Sequence, residues 1–112
     1  MSRHNSDVPY GTLELLILKT LDKIGAMHGY SIARRIEQVS DSTMRLSQGS
    51  IYPALIRLEQ QGLIGTRWGL SETGRKVKIY ALTEAGTKHL PVEIEKWAKA
   101  AALVARFVEG KA

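Results

Sequence analysis

Three apolar stripes of helical period fill residues 12–61, and the period then switches to two. In "GTLELLILKTLDKIG", Leu13, Leu16, Ile17, Leu21 and Ile24 recur at helical spacing, Thr12 is placed to cap the start and Gly25 to end it. After the short turn "AMHG", "YSIARRIEQVS" puts Ile32, Ile36 and Val39 on one stripe and turns Arg34, Arg35, Glu37 and Gln38 away from it. The linker "DSTMRL" leads into "LSQGSIYPALIRLEQQGLI", where Ile51, Leu55 and Leu58 form the buried stripe and Gly62 terminates the helix in the left-handed manner. Then "RKVKIYAL" alternates, with Val77, Ile79 and Ala81 on the inner face and Lys76, Lys78 and Tyr80 on the outer one. With "LIGTRWG" before it and the turn-rich "LSETG" between, this predicts a two-stranded hairpin with a polar tip.

Three helices followed by a hairpin predict an α+β fold, mainly α with a small β-hairpin, of the winged helix-turn-helix type. In that arrangement the third helix enters the major groove and the hairpin touches the flanking backbone. Residues 1–9 are polar, end in "VP" and read as a loose arm, leaving 10–82 for the winged unit and 83–112 for a last helix. Thr83 caps that helix, Glu84 sits near its positive end, and Pro91 either kinks it or starts a second piece. Leu90, Ile94, Trp97, Ala101, Val104 and Val108 follow at spacings of 4, 3, 4, 3 and 4, a short heptad seam. A winged unit of this size has no use for such a seam, which therefore predicts a C-terminal dimerisation helix and a homodimer, with Leu13 and Leu16 joining the interface. Trp97 beside Ala100 and Ala101 serves there as a large interface anchor or, alternatively, walls a flat aromatic gap between the chains.

At 112 residues the chain is one domain, with 44% hydrophobic residues for its core. The absence of cysteine excludes disulfides, thiol catalysis and cysteine metal sites. His4, His28 and His89 lack metal-ligand spacing, and neither a nucleophile–base pair nor a phosphate-binding glycine loop is present, so no cofactor or metal is expected and an enzyme is the weakest reading. No run approaches the roughly 18 apolar residues of a membrane span and "MSRHNSDVPY" lacks a signal-peptide core, so a cytoplasmic protein without membrane contact is expected. The net charge is +5, and residues 1–82 hold 11 basic and 7 acidic side chains against 5 and 4 in the remainder. A basic excess within the winged unit points to a polyanionic partner.

The segments "GTLELLILKTL", "MHGYSIARRIE", "SQGSIYPALIRLEQQGLI" and "KIYALTEAG" together resemble the PadR family of transcriptional regulators over about residues 10–90. The tail is similar to the subgroup with a single C-terminal helix. The resemblance implies a dimeric repressor that binds a palindromic operator in double-stranded DNA and releases it when an effector reaches the dimer, a small planar apolar or aromatic molecule in a gap such as the one at Trp97. The competing expectation is a winged-helix module for protein or RNA, against which the basic wing and the polar front of the third helix argue.

Gln48, Ser50 and Tyr52 cluster at the front of the third helix, where Gln can pair with adenine and the hydroxyls can reach bases or phosphates. The helix starts either at Ser47, which puts Pro53 one turn in over Gly49, or at Ser50, which puts Pro53 where its missing amide costs nothing. The resemblance favours Ser47. The plainer roles are capping for Ser50 and core packing for Tyr52. Arg57 either meets a phosphate or pairs locally with Glu59 or Gln60. His28 and Tyr30 open the second helix, whose amino end faces phosphate in this fold, with packing the alternative for Tyr30. Arg67, Arg75, Lys76 and Lys78 make the hairpin a backbone-contacting element, although Ser71 and Glu72 temper its tip.

Overall fold

The computed structural model describes residues 11–41, 46 and 48–110. The arm over residues 1–9 and the capping candidate Ser47 lie outside them, as does the side chain of Gln48.

Helix α1 spans Thr12–Ile24, and its stripe is buried through Leu13, Ile17, Leu18 and Leu21. Its N-cap is Gly11 at φ 87°, without a side-chain bond, so Thr12 is the first helical residue and not the cap. Gly25, at φ 112°, returns its amide to the Leu21 carbonyl and ends the helix as expected. Two residues then form strand β1, Met27–His28, and α2 follows over Gly29–Val39 with Ile32, Ala33 and Ile36 buried. Val39 was expected on that stripe but is exposed, because α2 runs past the edge of the core in its last turn.

Helix α3 covers Gln48–Gln60. This start leaves Ser50 within the first turn rather than at the cap and puts Pro53 four residues after Gly49. A residue without a side chain there leaves room for the proline ring. Ile51, Ala54, Leu55 and Leu58 are almost wholly buried, each Ile or Leu contributing about 1.5–3 kcal/mol. The helix closes with a paired carboxyl-terminal motif: Leu63 N–H donates to the Leu58 carbonyl and Gly62 N–H to that of Glu59, with Gly62 at φ 76°.

Strands β2 (Ile64–Leu70) and β3 (Lys76–Leu82) pair antiparallel, and β1 adds to the far edge of β3 with Met27 opposite Tyr80 and His28 opposite Ile79. The sheet is thus three-stranded in the order β1-β3-β2, one strand more than the expected hairpin. Two residues are too short to show a period, and "AMHG" becomes a strand only because β3 offers it an edge. Tyr80, expected on the solvent face with the lysines, is 4% exposed. The sheet face it shares with Ile64 and Thr66 turns toward α3 at its base: Thr66 Oγ1 donates to Glu59 of α3 at 3.3 Å.

Helix α4 runs without interruption from Glu84 to Val108, through Pro91, about 37 Å long. Thr83 caps it by accepting from Gly86 N–H at 3.0 Å and itself donates to the Gly62 carbonyl at 2.7 Å. Leu90, expected on the interface seam, is instead buried in the chain's own core and has no surface left to offer a second chain. Leu13 is likewise spent on that core, and Leu16 packs against it half-buried. From Ile94 to Gly110 every residue except Ala101 is exposed.

Candidate nucleic-acid interface

The amino end of α2 carries a ladder of flat polar groups. The rings of His28 and Tyr30 stack at 6.4 Å with 10° between their planes, and the Arg34 guanidinium lies over the Tyr30 ring, 5.6 Å from its centroid. Arg34 also donates to the Tyr30 hydroxyl at 3.0 Å, which holds its pKa above the ordinary value. His28 is the N-cap but places no side-chain bond on the first amides of the helix. Its ring bonds Ser31 Oγ instead, at 3.0 Å. The first turn of α2 therefore presents N–H groups of positive potential beside exposed Tyr30.

Helix α3 meets this end directly. Tyr52 lies over Gly29, where a β-carbon would stand 3.4 Å from the Tyr52 ring and hydroxyl and 3.3 Å from Leu55. Tyr30, Arg34, Leu46, Ile51 and Tyr52 line one shallow depression between the two helices. The approach to α3 is anchored there, since Leu46 N–H donates to Glu37 of α2 at 2.8 Å. Tyr52 takes up the packing role through its ring on Gly29, while its outer side stays exposed. Gln48 and Ser50 occupy the first turn of the same helix.

Arg57 stands apart from this group. Its Nε donates to Glu14 of α1 at 2.6 Å, a partner 43 residues away that neither the expected phosphate nor the expected local pairing with Glu59 or Gln60 anticipated.

The wing divides its cations between faces. Directly opposed residues of an antiparallel pair project on the same side, and Trp68 opposes Lys78 while Leu70 opposes Lys76. This face continues that of Tyr80 and Thr66, the one α3 covers. Arg67 projects from the reverse face with Ile79, and Arg75 precedes β3 in the turn, where its N–H donates to Ser71 Oγ at 3.1 Å. The four expected cations therefore act as a pair, Lys76 and Lys78, with Arg67 behind and Arg75 at the tip. The Lys76 ammonium lies 5.2 Å over the Trp68 ring.

Residues 17–91 match the transcriptional regulator PadR-like family. The chain belongs to this family. PadR-like proteins are transcriptional regulators and not enzymes, and that function implies DNA binding. The fold is similar to a transcriptional regulator from Clostridium thermocellum, with TM-score 0.81 and 30% identity over 92% of this chain and 99% of that one. A PadR family transcription regulator from Clostridium difficile matches at TM-score 0.71 and 30% identity, over 88% of this chain and 99% of that one. In sequence, the chain is 40% identical over 81 residues to the transcriptional regulator YqjI of Escherichia coli. That alignment covers 72% of this chain but 37% of the relative.

Among the residues of this PadR-like chain that face outward at the site, sequence reasoning missed Arg34, Trp68 and Leu70. Arg34 had a signal, the four-residue spacing from Tyr30 that brings helical side chains together. Trp68 and Leu70 had one too, in the alternation of "IGTRWGL" with "KVKIYAL", which became legible only with the register.

Proposed function

We propose that this PadR-like chain is a sequence-specific repressor that binds a palindromic operator as a homodimer. In this reading the front of α3, with Gln48, Ser50 and Tyr52, meets base edges in the major groove. The start of α2, with His28, Tyr30 and Arg34, meets phosphate, and Lys76 and Lys78 meet the flanking backbone. One observation carries it: the front of α3 and the amino end of α2 join at Gly29 and Tyr52, and the wing's two lysines project from the sheet face that α3 covers. Residues 10–82 would bind DNA and 83–112 would pair two chains, in the cytoplasm where DNA is accessible.

The pairing reading rests on the exposed apolar seam of α4, where Ile94, Trp97, Val104 and Val108 stand free of the core and Phe107 flanks Val104 at three residues' spacing. Two-fold pairing of this face would set two α3 helices on one side of the duplex, about one turn apart. A gap between chains at Trp97 would then be the entry for a planar apolar effector that releases the operator.

Selection of fragments from genomic DNA tests the reading, followed by titration of the best duplex at several salt concentrations. Affinity should fall steeply with salt, and Gln48→Ala should flatten the preference among sequences more than it weakens binding overall. A salt-independent affinity, or a Gln48→Ala chain as selective as the original, would reject it.

A further inference from the structure

Helix α3 buries one side and leaves an apolar line on the other. Ile51, Ala54, Leu55 and Leu58 face the core, none more than 2% exposed. At about 3.6 residues per turn, the line opposite them runs through Gly49, Pro53, Ile56 and Gln60, all of them exposed. The flanks of that line are engaged elsewhere: Tyr52 leans on Gly29 of α2, and Arg57 is held by Glu14 of α1. Gly49 has no side chain and Pro53 only a compact ring without an amide proton, so the front half of the line stands in low relief. Ile56, 52% exposed, is the first side chain to rise from it. From Gly49 as far as Gln60, therefore, the outward midline of α3 offers no side-chain hydrogen-bonding group.

We infer that Ile56, with the Pro53 ring beside it, is a seat for the methyl group of a thymine in the operator's major groove. The inference rests on the DNA-binding reading above, in which α3 enters that groove, and it adds to the polar groups at the helix front a base contact made without a hydrogen bond. The major groove displays hydrogen-bond donors and acceptors and one protruding apolar group, the thymine methyl. A helix midline without donors or acceptors has only that group to match. Low relief at Gly49 and Pro53 lets the backbone come close to the base edges. Residues three apart on a helix are surface neighbours, so the proline ring and the isoleucine branch form two sides of one apolar notch. The β-branched side chain of Ile56 is stiff and keeps its place without a partner. A protein partner fits less well, since two small apolar groups edged by Arg57 and Gln60 fall short of the apolar centre of a protein interface.

The test uses the duplex that the wild-type chain selects, with each thymine replaced in turn by uracil, which lacks only the methyl group. One such replacement should weaken binding about fourfold, the worth of one buried methyl-sized group, and leave the salt slope unchanged. Ile56→Ala should weaken binding to the all-thymine duplex by a similar factor and be indifferent to that replacement, so that the two changes together cost no more than one. Ile56→Val should retain most of the methyl discrimination. Because Ile56 lies outside the core and alanine favours a helix, the alanine variant should keep the wild-type circular dichroism. Uracil tolerated at every thymine, or a fourfold loss that persists in Ile56→Ala, overturns the inference while leaving the DNA-binding reading intact. A fall in sedimentation mass for Ile56→Ala with unchanged DNA affinity also overturns it, since a second copy of the chain would then cover the face. Failure of the wild-type chain to bind any duplex overturns both.

Discussion

The α-carbon of Gly86 lies against the carbonyl group of Leu63, so closely that a β-carbon at residue 86 would fall inside the oxygen's van der Waals shell. The contact joins the first turn of α4 to the end of α3, and two bonds from Thr83 reinforce it, from its N–H to the Leu63 carbonyl and from its hydroxyl to that of Gly62. The obstacle is backbone held by these bonds, not a side chain that can swing away. Gly86→Ala should therefore cost about 3 kcal/mol, the upper end for overpacking, as read by urea unfolding. A loss below 1 kcal/mol would mean that α4 shifts freely on its seat.

Arg57 and Glu14 bind α3 to α1 through a 2.6 Å contact with both side chains partly exposed. Solvent screening limits its value, so a double-mutant cycle on the two alanine variants should return a coupling below about 1 kcal/mol. With the guanidinium engaged at α1, Arg57→Ala should leave the salt slope of DNA binding close to wild type. A slope lowered by about one would put Arg57 on a phosphate.

Trp97 is 53% exposed and lies outside the buried core of its own chain, beside Thr12 and Leu15 at the start of α1. Trp97→Asp should keep the thermal midpoint of an isolated chain while reducing the sedimentation mass from a dimer to one chain of 12.4 kDa. An unchanged mass would remove α4 from the interface. A collapse of helical structure would mean that Trp97 supports the monomer.

Tyr80 carries a pH dependence of known sign. Burial, and then the neighbouring Tyr52 and Glu59, raise its pKa above the ordinary 10.0. As pH rises through 10.0 the unfolded chain gives up this proton while the folded chain keeps it, so the unfolded state binds fewer protons and stability falls. The contribution is fully present below that pH. Between wild type and Tyr80→Phe, the difference in unfolding free energy should be flat below pH 10 and move in favour of the phenylalanine chain above it. A flat difference throughout would deny the raised pKa.

Helix ends show how much of the fold was written locally. Gly25, Gly62 and Thr83 end or begin their helices as the sequence alone predicts, because a left-handed turn or a capping hydroxyl acts on amides within four residues. At α1 the same logic chose Thr12, yet Gly11 takes the cap position, since a one-residue shift is invisible to a periodic pattern. The candidate site was legible to the same extent. His28, Tyr30, Gln48, Ser50 and Tyr52 are found at two helix starts that meet, whereas the split of the wing's cations depended on strand register.

By itself, then, the sequence determined which residues share a face: the stripes of α1 to α3, the alternation of β3 and the heptad side of α4. Only the tertiary structure decided which of those faces are covered. Tyr80 sits in phase with two exposed lysines yet is buried, because α3 overlies the base of the sheet and not its tip. Leu90 sits in phase with Ile94 and Trp97 yet belongs to the core, because α4 leaves the domain only after its second turn. Met27 and His28 form a strand because β3 has a free edge, and Arg57 turns to Glu14 because α1 crosses beside it. Periodicity is a property of neighbours in the chain, and burial is a property of neighbours in space.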